Sequence, residues 1–156
     1  MSGVVGDEIE RVILEETQLL DRHAYKDWLS LYADSCTYWV PAGKPPFDPA
    51  RNLSIIYDDR ASMEQRVERL SGRFAYSQTP PWNTVRAVSN VLVDVDGDTA
   101  TANCVYIVFG LRGHESRTYP GHCTYTFRNE GRWLISTKTL LLLHADEPLE
   151  EIGYIL

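Results

Sequence analysis

"SIIYDDRASMEQRVERLSG", residues 54–72, decides how the chain is to be read, because the side-chain period changes inside it. Ile55, Ile56 and Tyr57 form a short apolar run of strand type. The run stops at Asp58-Asp59-Arg60, after which Met63, Val67 and Leu70 recur at the spacing of one helix face. Gly72 falls where a left-handed C-cap belongs. The acid pair at the junction has two readings. Beside an arginine, two carboxylates suit acid/base work at the mouth of a pocket. Neighbouring residues leaving a strand point in opposite directions, however, so they do not readily share a proton. As punctuation, an Asp in the N-cap position accepts a backbone N–H of the first turn. Neither Asp has a Glu or Gln three residues on, so no capping box forms. Arg60 lies at the positive end of the helix dipole and calls for a carboxylate partner, in this chain or another.

Upstream, residues 7–22 read as a helix with Ile9, Val12, Ile13, Leu19, Leu20 and His23 near one face and Glu16 on the same stripe. A second short helix is expected over 24–33 from Tyr25, Trp28, Leu29 and Tyr32. "CTYWV" (36–40) is strand-like and ends at Pro41 and Gly43, and "AGKPPFDPARN" (42–52), with three prolines, is a loop. Downstream, the loop "RFAYSQTPPWN" (73–83) leads into two long hairpins. Strands near 84–95 and 98–112 are joined at Asp96-Gly97, a type I′ signal, and strands near 117–128 and 132–144 at Asn129-Glu130-Gly131. Three helices in the N-terminal half and a mainly antiparallel sheet of about six strands define an α+β layer fold. A curved sheet with a long helix in its concave side makes a cone, and residues 1–156 are expected to form a single domain of this kind.

The totals exclude several classes of function. Fifteen basic against 22 acidic residues give a formal charge of −7, the wrong balance for binding nucleic acid. No apolar run reaches the about 18 residues of a membrane span, and the N-terminal stretch lacks the pattern of a secretory signal. Cys36, Cys104 and Cys123 are an odd set without CxxC spacing, which suits free thiols in a reducing cytoplasm.

Candidate chemistry is sparse. "DVDGDT" (94–99) alternates acids like a calcium loop, but Thr99 and Val105 stand where Gly and Glu are needed, so it is a hairpin turn. His114, His122 and His144, with Glu115 and Asp146, lack close ligand spacing for an iron site. Rieske-type Cys-x-His motifs, phosphate loops and nucleophile elbows are absent. Glu16 and His23 are the polar groups expected to face the core, as a catalytic pair or as a carboxylate satisfied by Tyr or Arg. Aromatic residues crowd the loops instead: Phe74, Tyr76, Pro80, Pro81 and Trp82 in one, Phe47 in another. Apolar loops of this kind either pack on their own sheet or serve an obligate subunit interface, and the apolar "GYIL" (153–156) points to the interface.

Three stretches, "ETQLLDRHAYKDWLSLYADSCTYWVPAG" (16–43), "IIYDDRASMEQRVERLSGRFAYSQTPPWNTVRAVSNV" (55–91) and "WLISTKTLLLLHADEPLEEIGYIL" (133–156), resemble the small (beta) subunit of aromatic-ring-hydroxylating dioxygenases. The resemblance runs from about residue 8 to the end and is weakest between Leu111 and Tyr125. It implies a cystatin-like (NTF2-like) cone. It also implies a cytoplasmic assembly with a large alpha subunit and other beta subunits, commonly a hexamer of three of each, served indirectly by a ferredoxin and reductase in aromatic catabolism. The Rieske [2Fe–2S] cluster and mononuclear Fe(II) are then expected on the alpha subunit, with no cofactor and no catalytic residue in this chain. Structural and partner-interface candidates are Asp58, Asp59, Arg60, Tyr76, Pro81, Trp82 and Arg86. The competing expectation is a stand-alone isomerase or dehydratase with Glu16, His23 and Tyr25 in the cone, or a protein that binds an aromatic ligand there.

Overall fold

The computed structural model describes residues 2–50, 53–71, 81–146, 152 and 154–156. Helix α1 (Ser2–Asp21) is followed by the one-turn helix α2 (Tyr25–Leu29) and strands β1 (Tyr32–Pro41) and β2 (Ser54–Asp59). Helix α3 (Arg60–Ser71) comes next, and then the long strands β3 (Asn83–Asp96), β4 (Thr99–Arg112), β5 (Glu115–Asn129) and β6 (Trp133–Leu142). The six strands form one sheet in the order β2-β1-β6-β5-β4-β3. Every pairing is antiparallel except β1 with β6.

Helix α1 buries Ile9, Ile13, Glu16, Thr17 and Leu20, a stripe of helical period, and packs chiefly across β3. It starts earlier than the apolar pattern alone indicates, because residues 2–6 lack that pattern yet continue the helix. The second helix is shorter than the expected 24–33. Tyr32, on the predicted helical stripe, instead opens β1 opposite Ile135, and the Ile135 N–H donates to the Leu31 carbonyl at 2.8 Å. Sheet pairing thus overrides a helical spacing too short to persist alone.

The inner face of the sheet is the alternate phase of each strand. On β4 it comprises Ala100, Ala102, Cys104, Tyr106 and Val108; on β5, Tyr119, Cys123, Tyr125 and Phe127. Two of the sheet's register shifts fall in the long strands. Between Ser89 and Leu92 the β3 register shifts, and Asn90 takes the left-handed conformation (φ 55°) that Asn tolerates. A second shift opposite Thr126/Phe127 changes the phase of β6.

The β3–β4 turn lies one residue further along than expected. Asp96 pairs with Thr99, so the turn residues are Gly97 and Asp98. Gly97 has φ 61° and Asp98 is not among the residues with positive φ, which is the Gly-first pattern of type II′ instead of I′. The region of weakest resemblance, 111–125, is continuous hairpin, with β4 and β5 paired up to Arg112 and Glu115 around Gly113-His114. The expected C-cap at Gly72, and Phe74, Tyr76 and Pro80 of the aromatic loop, lie outside the described residues.

Candidate functional site

The junction that opens the sequence reading is built as punctuation. Asp59 ends β2 and its carboxylate accepts the Ser62 N–H at 2.8 Å, the bond of a helix N-cap; this bond holds its pKa below the ordinary value. Asp58 points the other way, is buried, and receives Arg66 through two bonds of 2.7 and 3.2 Å. Arg60 opens α3, pairs with Glu64 at 3.0 Å and donates to the Leu29 and Tyr32 carbonyls at 2.9 and 3.0 Å. The triplet therefore ties α3 to the end of α2 and to β1.

The chemistry of the cone interior centres on Glu16, fully buried in α1. One carboxylate oxygen accepts the Trp28 indole N–H at 2.9 Å and the Tyr32 hydroxyl. The other accepts the Tyr125 hydroxyl at 2.6 Å and faces the Lys138 ammonium at 3.0 Å. Burial alone would raise this carboxyl's pKa. Lys138 and the bonds from Tyr125, Tyr32 and Trp28 outweigh burial and hold it below its ordinary value. Lys138, also buried, donates to the Tyr106 hydroxyl at 3.2 Å and the Leu156 main-chain oxygen at 2.9 Å, and lies 4.6 Å from the centre of the Tyr106 ring. Burial disfavours its charge, but Glu16 and the Tyr106 and Tyr38 rings keep it protonated, with a raised pKa. Both charges are paired and their hydrogen-bonding capacity is used. Glu16 has no idle oxygen with which to take a proton from a substrate.

A second cluster joins the end of α1 to the start of β3. Asp21, the last residue of α1, accepts from the Thr84 hydroxyl (3.0 Å), the Arg86 N–H (3.1 Å) and the Arg86 guanidinium, which also donates to the Ile155 carbonyl. Trp82 is buried against Tyr154, ring centroids 5.4 Å apart, with the Arg117 guanidinium 5.0 Å from the centre of its ring. Beside them His23, Tyr25, Leu70, Ser71, Pro81, Trp82 and Tyr154 line a cleft of about 290 Å³.

These positions separate the three suspects for a stand-alone enzyme. Glu16 is sealed in the core. His23, expected to face the core, is exposed in the turn after α1 with φ 59°, stacked 5.7 Å from the Tyr25 ring. Tyr25 lines the cleft. The apolar tail, read from sequence as interface, turns inward instead: Tyr154, Ile155 and Leu156 are all buried in this chain's own core. Among the described residues no group of three or more His, Cys, Asp or Glu is placed to hold a metal ion, and no helix is long and apolar enough to cross a membrane.

Three helices on one face of an open, mainly antiparallel six-stranded sheet define the cystatin-like, NTF2-like class. The crystal structure of an NTF2-like protein with a cystatin-like fold from Novosphingobium aromaticivorans matches with a TM-score of 0.64, covering 90% of this chain and 83% of that one at 20% identity. Within that class, the family model for the ring hydroxylating beta subunit matches residues 15–146, and the chain belongs to this family: it is a beta subunit of the aromatic-ring-hydroxylating dioxygenases, which pairs with an alpha subunit. It is 28% identical over 158 residues to the small oxygenase component of the p-cumate 2,3-dioxygenase system of Pseudomonas putida, covering 98% of this chain and 88% of that one. The crystal structure of the benzoate 1,2-dioxygenase beta subunit from Burkholderia mallei matches with a TM-score of 0.78 at 25% identity, over 94% of this chain and 95% of that one.

Proposed function

We propose that this chain is the non-catalytic, shape-giving subunit of an α3β3 oxygenase in the cytoplasm. In this reading the alpha subunit carries the Rieske [2Fe–2S] cluster and the mononuclear Fe(II), a ferredoxin and reductase supply electrons, and the assembly dihydroxylates an aromatic compound. One observation carries the reading: the cone, where an NTF2-like enzyme would need open space and a free acid or base, is filled by a satisfied Glu16–Lys138 network and by residues 154–156. The names of relatives that serve p-cumate and benzoate oxygenation support an aromatic substrate for the assembly.

Subunit contacts then fall to the surface. The outer phase of β3 and β4 exposes Val85, Leu92, Phe109 and Leu111, with Leu143 beyond β6 and Tyr57 on β2. Val85 lies opposite Phe109, and Asn83 opposite Leu111, so Val85, Phe109 and Leu111 form a short strip on one face of β3 and β4. Such a strip supports a buried interface with another subunit. Pro81, exposed at the rim of the cleft, is a further candidate. Tyr76 stays a candidate from the sequence alone. Asp58, Asp59, Arg60, Trp82 and Arg86 would serve the interface indirectly, by fixing the elements that present it.

The test is co-expression with the neighbouring large subunit, followed by mass measurement of the intact complex and metal analysis of the beta subunit alone. The expected result is equal numbers of the two chains in one complex, with iron found only when the large subunit is present. Stoichiometric iron or aromatic turnover in the isolated chain would overturn the proposal.

A further inference from the structure

Residues 154–156 are held as a ligand is held. The Leu156 main-chain oxygen accepts from the Tyr38 hydroxyl at 2.6 Å and from Lys138 at 2.9 Å, and the Ile155 carbonyl accepts from Arg86. Leu156 and Ile155 are 0% and 1% exposed. Tyr154 is enclosed by Trp82 and Tyr119, with ring centroids 5.4 and 6.0 Å away. Its hydroxyl lies against Gly110, where a Cβ would stand 2.5 Å from that oxygen, so the bare strand backbone forms part of the cradle.

The groups that grip the segment are positioned by bonds that do not involve it. Lys138 is fixed by Glu16 and Tyr106, Arg86 by Asp21 and Thr84, and the Tyr38 ring packs edge-on to Trp28 with centroids 6.1 Å apart. They come from β1, β3 and β6, so the framework sets their directions. With residues 154–156 taken away, these elements keep two cations and a phenol aimed at an apolar slot. Such pre-set donors favour an apolar ligand that presents main-chain-type acceptor oxygens, because burying the cations without an acceptor is costly.

We propose that the cone interior is a binding site for an extended apolar peptide segment, and that residues 154–156 are its resident occupant in cis. The site recognises two carbonyl oxygens through Arg86 and through Tyr38 with Lys138, and reads three apolar side chains by shape. The proposal holds whichever subunits the chain assembles with.

The experiment uses the full chain with a protease recognition sequence inserted after Asp146, purified folded and then cut. Three synthetic probes are compared by displacement of the cut segment, followed by mass spectrometry. The first is N-acetyl-Gly-Tyr-Ile-Leu-amide. The second carries the change Leu156→Asp. The third ends in an isopentyl amide, which keeps the leucine side chain but lacks its carbonyl. The expected result is that the cut segment stays bound through gel filtration and exchanges with the first probe. The other two should compete roughly tenfold or more weakly, the difference expected for one buried leucine side chain or one charge-assisted hydrogen bond. If cutting unfolds the body, the first probe should restore folding and the others should not. Equal competition by all three probes, failure of a folded body to take up the first, or failure of the first to rescue an unfolded body would each overturn the proposal.

Discussion

The two faces of one sheet behave as different materials. On the inner face of β6, Lys138 is 1% exposed and every donor it offers has a partner; on the outer face of β3, Val85 and Leu92 are 65% and 73% exposed, Val85 opposite Phe109 and Leu92 opposite Asn103. The buried pair is tolerated inside because Trp28, Tyr32 and Tyr125 donate to Glu16 while Tyr106 and the Leu156 main-chain oxygen accept from Lys138, whereas apolar side chains stand outside where water gives them nothing. One ion pair inside an apolar core, and a few apolar side chains outside, each depart from the usual arrangement. In the proposed reading these departures separate two roles: the interior holds shape, and the exterior meets another subunit.

The comparison is broken most severely by Lys138→Met. Removing one partner strands the buried Glu16 charge and should cost about 3–5 kcal/mol in chemical denaturation. The double change Glu16→Gln with Lys138→Met should recover much of that loss, because no unpaired charge is then left inside. If the double variant is as unstable as the single one, the charge pair is not the source of the effect.

Arg86→Ala acts at the boundary between the two faces. It removes the guanidinium from Asp21 and from the Ile155 carbonyl and should cost about 1.5–3 kcal/mol, with faster hydrogen exchange at Ile155 and Leu156 than elsewhere in the core. Unchanged melting would remove Arg86 from the account.

The acid limb of stability sharpens the picture. Glu16 has a folded pKa below its ordinary value of 4.5, so its contribution is fully present above that pH and is lost as pH falls through the lowered value. Lys138 is raised above 10.5, so its contribution is present throughout the neutral range and is lost only in strong alkali. Melting temperature should therefore be level from pH 6 to about 9 and fall in acid. Glu16→Gln should melt lower at neutral pH but with a flatter acid limb; an unchanged acid slope would contradict this assignment.

The outer face should give the smallest stability effect. Val85→Ser changes the isolated chain by no more than about 0.5 kcal/mol, since this side chain is already mostly in water. A larger loss would show that the strip belongs to this chain's own core.

Much of the frame is legible in the sequence. The switch from strand to helix at Asp58-Asp59-Arg60, the Met63–Val67 face and the two long hairpins all follow from side-chain period and turn residues. Glu16 is legible as a polar residue on an apolar stripe. Its partner Lys138 is not. Trp133 and Ile135 face inward, and plain alternation from them would send Lys138 to solvent; the register shift opposite Thr126/Phe127 reverses the phase. No residue type in "STKTLLLL" marks that shift, and Leu140 to Leu143 are apolar in both phases. The direction of the tail is not legible for a related reason: hydrophobicity shows that Tyr154, Ile155 and Leu156 are buried, not which surface covers them. His23 fits the helical stripe on paper, but α1 ends at Asp21, and the left-handed turn at residue 23 carries the ring outward.

Co-expression of the large subunit with the double variant Phe109→Asp, Leu111→Asp is the most direct test that this chain works through its outer surface. Both changes leave the cone untouched. The expected result is a folded variant that no longer co-purifies with the large subunit as a mixed oligomer. A variant that assembles and supports ring hydroxylation as well as the wild type would contradict it.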